Sequence, residues 1–222
     1  MSITVDHVSE QRKTGPIIWL FSFQFMLVEY LISWTTAYPY SYFDNYISDL
    51  GSAYCADLTS GFTDAVHRVC SPLHNWMNLS FVVQGVLLAV GAVYMRKRFP
   101  AMKPIRFSLL LLMAAGVGFV AAGLAPNDVN LPVHYAGAVL ALFGGGIGIT
   151  LIGATLLGQE SNGTVFALLT IASGVLSLGG TILLSSGITL GLGVGGMERV
   201  AAYPVELWPV LAGAYYLLKG SR

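Results

Sequence analysis

Four side chains in this sequence are of types that hold zinc: Asp49, His67, His74 and His134. Neutral imidazoles with a carboxylate suit Zn²⁺, and three protein ligands leave one coordination position open for chemistry. No two of the four are joined by a short ligand motif such as HExxH. The same types also permit metal-free acid–base work by His–carboxylate pairs. Ser48 and Ser71 are then the candidate nucleophiles, although no elbow motif surrounds either. A third reading needs no reaction. Asp49, His74, Asn78, His134, Glu198, Arg199 and Glu29 can line a cleft and hydrogen-bond a polar headgroup. His74 and Asn78 are four residues apart, so on a helix they share a face.

The elements that must position these groups are hydrophobic. The 222-residue chain is 55% hydrophobic and only 10% charged, with mean hydropathy +0.70. A soluble domain carries about 25% charged residues, so the composition is that of an integral membrane protein. No basic stripe points to nucleic acid. Hydropathy gives six spans, at about 17–36, 72–94, 105–124, 132–157, 164–190 and 202–218, within one transmembrane domain covering 1–222. The first apolar run has span length, longer than the core of a signal peptide, and reads as a retained helix. Ser71-Pro72 suits the start of the second span as N-cap and first helical residue. The expected fold class is all-α, a six-helix membrane bundle.

Charge sets the orientation. Arg12, Lys13, Arg96, Lys97, Arg98, Lys103, Arg106, Lys219 and Arg222 fall at the N-terminus, the second connection and the C-terminus. With six spans these lie on one side, which the positive-inside rule makes cytoplasmic. The chain is therefore expected to be a multi-pass cell-membrane protein with both termini cytoplasmic. His7 then lies in the cytoplasmic tail, away from the other histidines. Glu29, Asp49, His74, His134, Glu198 and Arg199 gather towards the outer side, and Glu206 lies about one turn inside the last span. Ionisable groups at membrane depth are expensive and mark function.

The connection 37–71 is expected to fold as an extracytoplasmic cap, given its aromatic run Tyr38-Pro39-Tyr40-Ser41-Tyr42-Phe43 and a short helix around 63–69. Cys55 and Cys70 both fall there, where a disulfide is permitted. Their bridge closes a loop of about 15 residues, worth about 3 kcal/mol in the chain-entropy model. The fourth and fifth spans are rich in glycine and serine, with Gly144 and Gly148 at small-xxx-small spacing, which suits close helix packing.

These residues carry a resemblance. Ile47-Ser48-Asp49-Leu50-Gly51, then Gly123-Leu124-Ala125-Pro126 leading to His134-Tyr135-Ala136-Gly137-Ala138, then Gly196-Met197-Glu198-Arg199 with Ala202-Tyr203-Pro204 and Leu207-Trp208, resemble the prokaryotic membrane family catalogued as domain of unknown function 998. The resemblance spans about 17–218 and implies six membrane helices. It implies no activity. The chain is also similar, in span count and in the Pro-to-His turn, to the Frag1/DRAM/Sfk1 group linked to lipid remodelling. A further similarity, in residue types alone, is to alkaline-ceramidase-like zinc hydrolases. It departs from them in span number and in lacking an HxxxH pair on a late span.

The function expected is an outward-facing polar pocket that binds or handles a lipid headgroup or small amphiphile, in a binding, transport or assembly role. The alternative is an intramembrane metal-dependent hydrolase acting on a lipid, with zinc on His67, His74, His134 and Asp49. The expected partners are membrane lipids, and a membrane protein or second copy packed on the glycine-rich helices.

Overall fold

The computed structural model describes residues 13–59, 66–159 and 163–220. His7, Arg12, Arg222 and 63–65 of the expected cap helix lie outside the described residues. Six helices make up most of the described chain: α1 (Lys13–Ser33), α2 (His74–Met95), α3 (Lys103–Leu124), α4 (Leu131–Leu157), α5 (Thr164–Ser185) and α6 (Gly193–Gly220). A 3₁₀ turn, Phe21–Phe23, interrupts α1. Helices α1 to α5 are each long and apolar enough to cross a bilayer. At 1.5 Å rise per residue, about 20 residues match a hydrocarbon core of about 30 Å. The chain is a multi-pass membrane protein.

Local chemistry sets the helix starts. Asn130 caps α4 by accepting from the Val133 amide at 3.3 Å, and proline stands in the first turn of both α3 and α4. Consecutive helices from α2 to α6 pack side by side, and α1 lies against both α2 and α6. Large side chains such as Trp19, Phe25, Met77, Leu88, Ile149 and Trp208 fill the interior. Phe21, Leu27, Leu110, Val117, Leu169 and Leu176 face outward, the inverse of a soluble surface.

Glycine sets the helix spacing. A Cβ on Gly85 would lie 2.3 Å from the Gly116 carbonyl oxygen across α2–α3, and one on Gly118 would lie 2.5 Å from that of Gly137 across α3–α4. Across α4–α5 a Cβ on Gly174 would meet the Gly146 oxygen at 2.7 Å, and across α5–α6 one on Gly180 would meet the Ala201 nitrogen at 2.7 Å. The packing expected of the small residues is present, and it lies within the chain.

The connection between α1 and α2 differs from expectation in one element. Val66–Val69 is a β-strand (β2), paired antiparallel with β1 (Ala56–Thr59) in the register Ala56↔Val69 and Asp57↔Arg68, so those residues are not helical. The Cys55–Cys70 disulfide closes the base of this hairpin, as expected. A 3₁₀ turn, Ile47–Gly51, precedes it and is wholly buried. Helix ends also shift. Helix α2 begins at His74 rather than Pro72, because the Ser71 hydroxyl donates to the Leu50 carbonyl at 2.7 Å instead of capping the helix. Helix α5 stops at Ser185, before a turn with positive φ at Gly187, Leu190 and Gly191. Helix α6 starts nine residues before the expected 202, absorbing Gly193 to Gly196. There the Gly195 and Gly196 amides donate to the Phe43 carbonyl at 2.8 and 3.1 Å. A Cβ on Gly195 would come within 2.0 Å of the Asn45 oxygen. Glycine lets the first connection lie directly on the start of α6.

Gly118→Ala is expected to push α3 from α4 and cost about 1–3 kcal/mol. Gly179→Ala, where an added Cβ meets nothing within 4 Å, should change stability by less than about 0.5 kcal/mol. Thermal unfolding of both variants in one detergent checks the pair, and equal losses would contradict the packing argument.

Candidate functional site

Arg199 stands in the first turns of α6 and is 7% exposed. Its Nε and Nη2 donate to Glu29 Oε1 at 3.1 and 2.8 Å. Its Nη1 donates to three carbonyls, those of Tyr42 and Asn45 at 2.9 Å and of Gly195 at 3.0 Å. Nη2 also donates to the Tyr40 hydroxyl, and Nε to that of Tyr203 at 3.1 Å. The guanidinium lies 4.7 Å from the Tyr42 ring centroid, within cation–π range. One side chain therefore ties α1, the first connection and α6 together. Burial pushes the Tyr40 phenol up, so it stays a neutral hydroxyl, and it donates in turn to the Tyr46 carbonyl at 2.9 Å.

The neighbouring 3₁₀ turn is held from both ends. Asp49 Oδ2 accepts from the Tyr46 amide at 2.9 Å and from Asn45 Nδ2 at 3.2 Å. Glu198 Oε2 accepts from the Ile47 amide. Two amides at the start of the turn, which no turn carbonyl can serve, thus meet carboxylates. On the far side Asn78 Nδ2 donates to the Gly51 carbonyl at 2.8 Å. The turn between α3 and α4 completes the clamp. Asn127 Oδ1 accepts from Ser52 Oγ at 2.9 Å, and Asp128 Oδ2 from the Tyr54 amide at 2.8 Å.

Beside this clamp is a cavity of about 470 Å³. The first connection contributes Tyr46, Ser48, Asp49 and Leu58, and α6 contributes Glu198. Asn127 and the first turns of α4, including His134 and Tyr135, form one wall. Ala138, Val139 and Leu142 of α4 face Thr181, Leu184 and Ser185 of α5 on the remaining sides. His134 Nδ1 contacts two carbonyl oxygens, Ala122 at 3.1 Å and Ala125 at 3.0 Å. Carbonyls only accept, so Nδ1 carries a hydrogen, and Nε2 of the neutral ring is an acceptor. Among the described residues, no Lys or Arg lines the cavity.

The sequence expectation is thus divided by geometry. Asp49, His134 and Glu198 line the cavity, while Glu29 and Arg199 form the ion pair behind it. His74 turns to the Ser71 carbonyl at 2.9 Å, and Asn78 serves Gly51. Neither lines the cavity. Among the described residues, no group of three His, Cys, Asp or Glu is placed to hold a metal ion. The backbone of His67 lies in β2, and its side chain lies outside the described residues. Tyr40, Asn45, Tyr46 and Asn127 were not singled out from the sequence as site residues. Tyr40 belongs to the aromatic run and Asn127 follows Pro126 in the Pro-to-His turn, while Asn45 and Tyr46 carry no such signal in the sequence.

The profile of the family described as "Protein of unknown function (DUF998)" matches residues 20–215. The chain belongs to this family. The match takes in every residue of the clamp and of the cavity. No curated protein and no solved structure matches the chain.

Breaking a buried ion pair from one side costs about 3–5 kcal/mol. Arg199→Met is expected to lose that much stability and to open the first connection to protease. Glu29→Gln keeps a neutral acceptor for Arg199 and should cost less. Thermal unfolding and limited proteolysis compare the two. A larger loss for Glu29→Gln would show that the carbonyl contacts of Arg199 contribute little.

Proposed function

We propose that this DUF998 protein holds an amphiphile in the cavity beside the Arg199 clamp, with the polar group near Asp49, His134 and Glu198 and the chain along the α4–α5 seam. The observation that carries the reading is the cavity's mixed lining. Asp49, Asn127, His134 and Glu198 bring polar groups to it, and Ala138, Val139, Leu142 and Leu184 bring apolar surface. Its volume of about 470 Å³ falls in the range of small-molecule sites, about 300–1,000 Å³. A membrane lipid or a small free amphiphile meets this description equally. The role is binding, transport or assembly.

In the same reading α6 is a sixth span and residues 37–71 are an outer cap. The supporting pattern is charge. Lys13, Arg96, Lys97, Arg98, Lys103, Arg106 and Lys219 sit at the start of α1, between α2 and α3, and at the end of α6. Six crossings put them all on the cytoplasmic side, and the cap, disulfide and cavity on the other.

Val139→Trp should fill the cavity. Native mass spectrometry of the wild type in lipid nanodiscs is expected to show a retained amphiphile, which Val139→Trp loses while its unfolding midpoint stays near the wild-type value. Equal retention by the two proteins would remove the cavity from the function. For the topology, a cysteine replacing Lys97 should react in intact cells with a membrane-permeant maleimide and resist an impermeant one. The opposite result would invert the orientation.

A further inference from the structure

Three polar side chains stand at the middle of three different helices. Ser22 of α1, Gln84 of α2 and Glu206 of α6 each lie within about one residue of the helix midpoint. Contacts above and below place them in one layer. Beneath it, Trp19 Nε1 donates to the Leu88 carbonyl at 3.2 Å, and the Trp19 ring lies 5.1 Å from that of Trp208. Above it, Phe25 and Phe81 meet edge to face at 4.9 Å, and Tyr203 donates to Glu29 at 3.1 Å. Ser22 falls between Trp19 and Phe25, Gln84 between Phe81 and Leu88, and Glu206 between Tyr203 and Trp208. The turn Phe21–Phe23 packs against both α2 and α6.

All three are inaccessible, with exposures of 1% for Ser22, 0% for Gln84 and 1% for Glu206. Ser22 Oγ, both amide atoms of Gln84 and both carboxyl oxygens of Glu206 have no hydrogen-bond partner among the described residues. Each such buried group costs about 1–3 kcal/mol, and more if charged. Arg199 gives Glu206 no hydrogen bond, because its three nitrogens serve Glu29, Tyr40, Tyr42, Asn45, Gly195 and Tyr203; its charge still acts on the carboxyl from a distance. The other charges acting on Glu206 are the carboxylates of Glu29 and Glu198. The backbone is irregular at this level as well. Helix α1 tightens to 3₁₀ at Ser22, and Pro204 and Pro209 flank Glu206. Pro209 has no N–H for the Val205 carbonyl, which frees one more oxygen acceptor on the residue preceding Glu206. Interrupted helices at mid-depth are where membrane proteins seat small ions.

We propose that Ser22, Gln84 and Glu206 form a second site, at the centre of the bundle, that binds one monovalent cation. A single positive charge neutralises the carboxylate, and the hydroxyl, the amide oxygen and the freed carbonyl complete an oxygen-rich shell. Proton and sodium ion share this chemistry.

Infrared spectra of the full chain in nanodiscs separate them, as wild type minus Glu206→Gln in choline and in sodium buffers at neutral pH. A protonated-carboxyl band from Glu206 is expected in choline. Its replacement by carboxylate bands in sodium identifies sodium as the occupant, and its persistence identifies the proton. Carboxylate bands in both media overturn the proposal. If Glu206→Gln does not fold, Glu206→Asp assigns the band by displacing it. Gln84→Leu and Ser22→Ala should each shift the band, and an unmoved band in both would show that the three residues are not one site.

Discussion

The buried Arg199–Glu29 pair is the interaction on which one end of the helix bundle and the first connection depend. Helix α1 brings the carboxylate and α6 brings the guanidinium, from opposite ends of the sequence. Alone, such a pair gains little, because taking two charges from water costs as much as their attraction returns. Here the guanidinium also collects three backbone carbonyls and two hydroxyls. Those carbonyls belong to the first connection and to the first turn of α6. The pair is thus the point where helix packing and the connection's path are settled together.

Glycine makes that meeting possible. Close approach of α2 to α3, α3 to α4, α4 to α5 and α5 to α6 needs a missing side chain at each seam. In lipid, where apolar surface gains nothing from leaving water, van der Waals contact and hydrogen bonding must drive association. The same device recurs where the connection crosses Gly193 and Gly195. The connection then has no room to slide, and its 3₁₀ turn is fixed over the cavity by Asp49, Glu198, Asn78 and Asn127.

Polar groups in this bundle fall into two levels. The level of Arg199 is dense and paired, and it borders the cavity. The central level has three polar residues on three helices, framed by aromatic pairs. Of these, Glu206 feels the charges of Glu29, Glu198 and Arg199. The physical link between the levels is α6, whose face carries Arg199, Tyr203 and Glu206 at successive turns.

Span-length apolar runs, their order and the segregation of basic residues are readable from the sequence, because transfer into lipid depends on composition over about 20 residues and little on context. The cysteine pairing was also legible, since only two thiols share one connection. The gathering of Asp49, His134 and Glu198 at one end of the helices followed from their distance to span ends. Their division of labour did not. His74 and His134 look equivalent as first-turn histidines, yet one binds its own turn and the other lines a cavity, which depends on which carbonyls the neighbouring helices offer. The β2 strand escaped notice because its partner β1 is a separate segment of the connection, and Gly193 to Gly196 read as a linker because nothing local shows that another segment rests on them. Ser22 and Gln84 sit in apolar runs as minor exceptions, and only the register of three helices brings them level with Glu206. The sequence by itself determined the order and apolar character of the segments, because solvation is additive along the chain. Which polar groups meet was decided by the tertiary structure, because hydrogen bonds depend on ångström-scale placement across segments far apart in sequence.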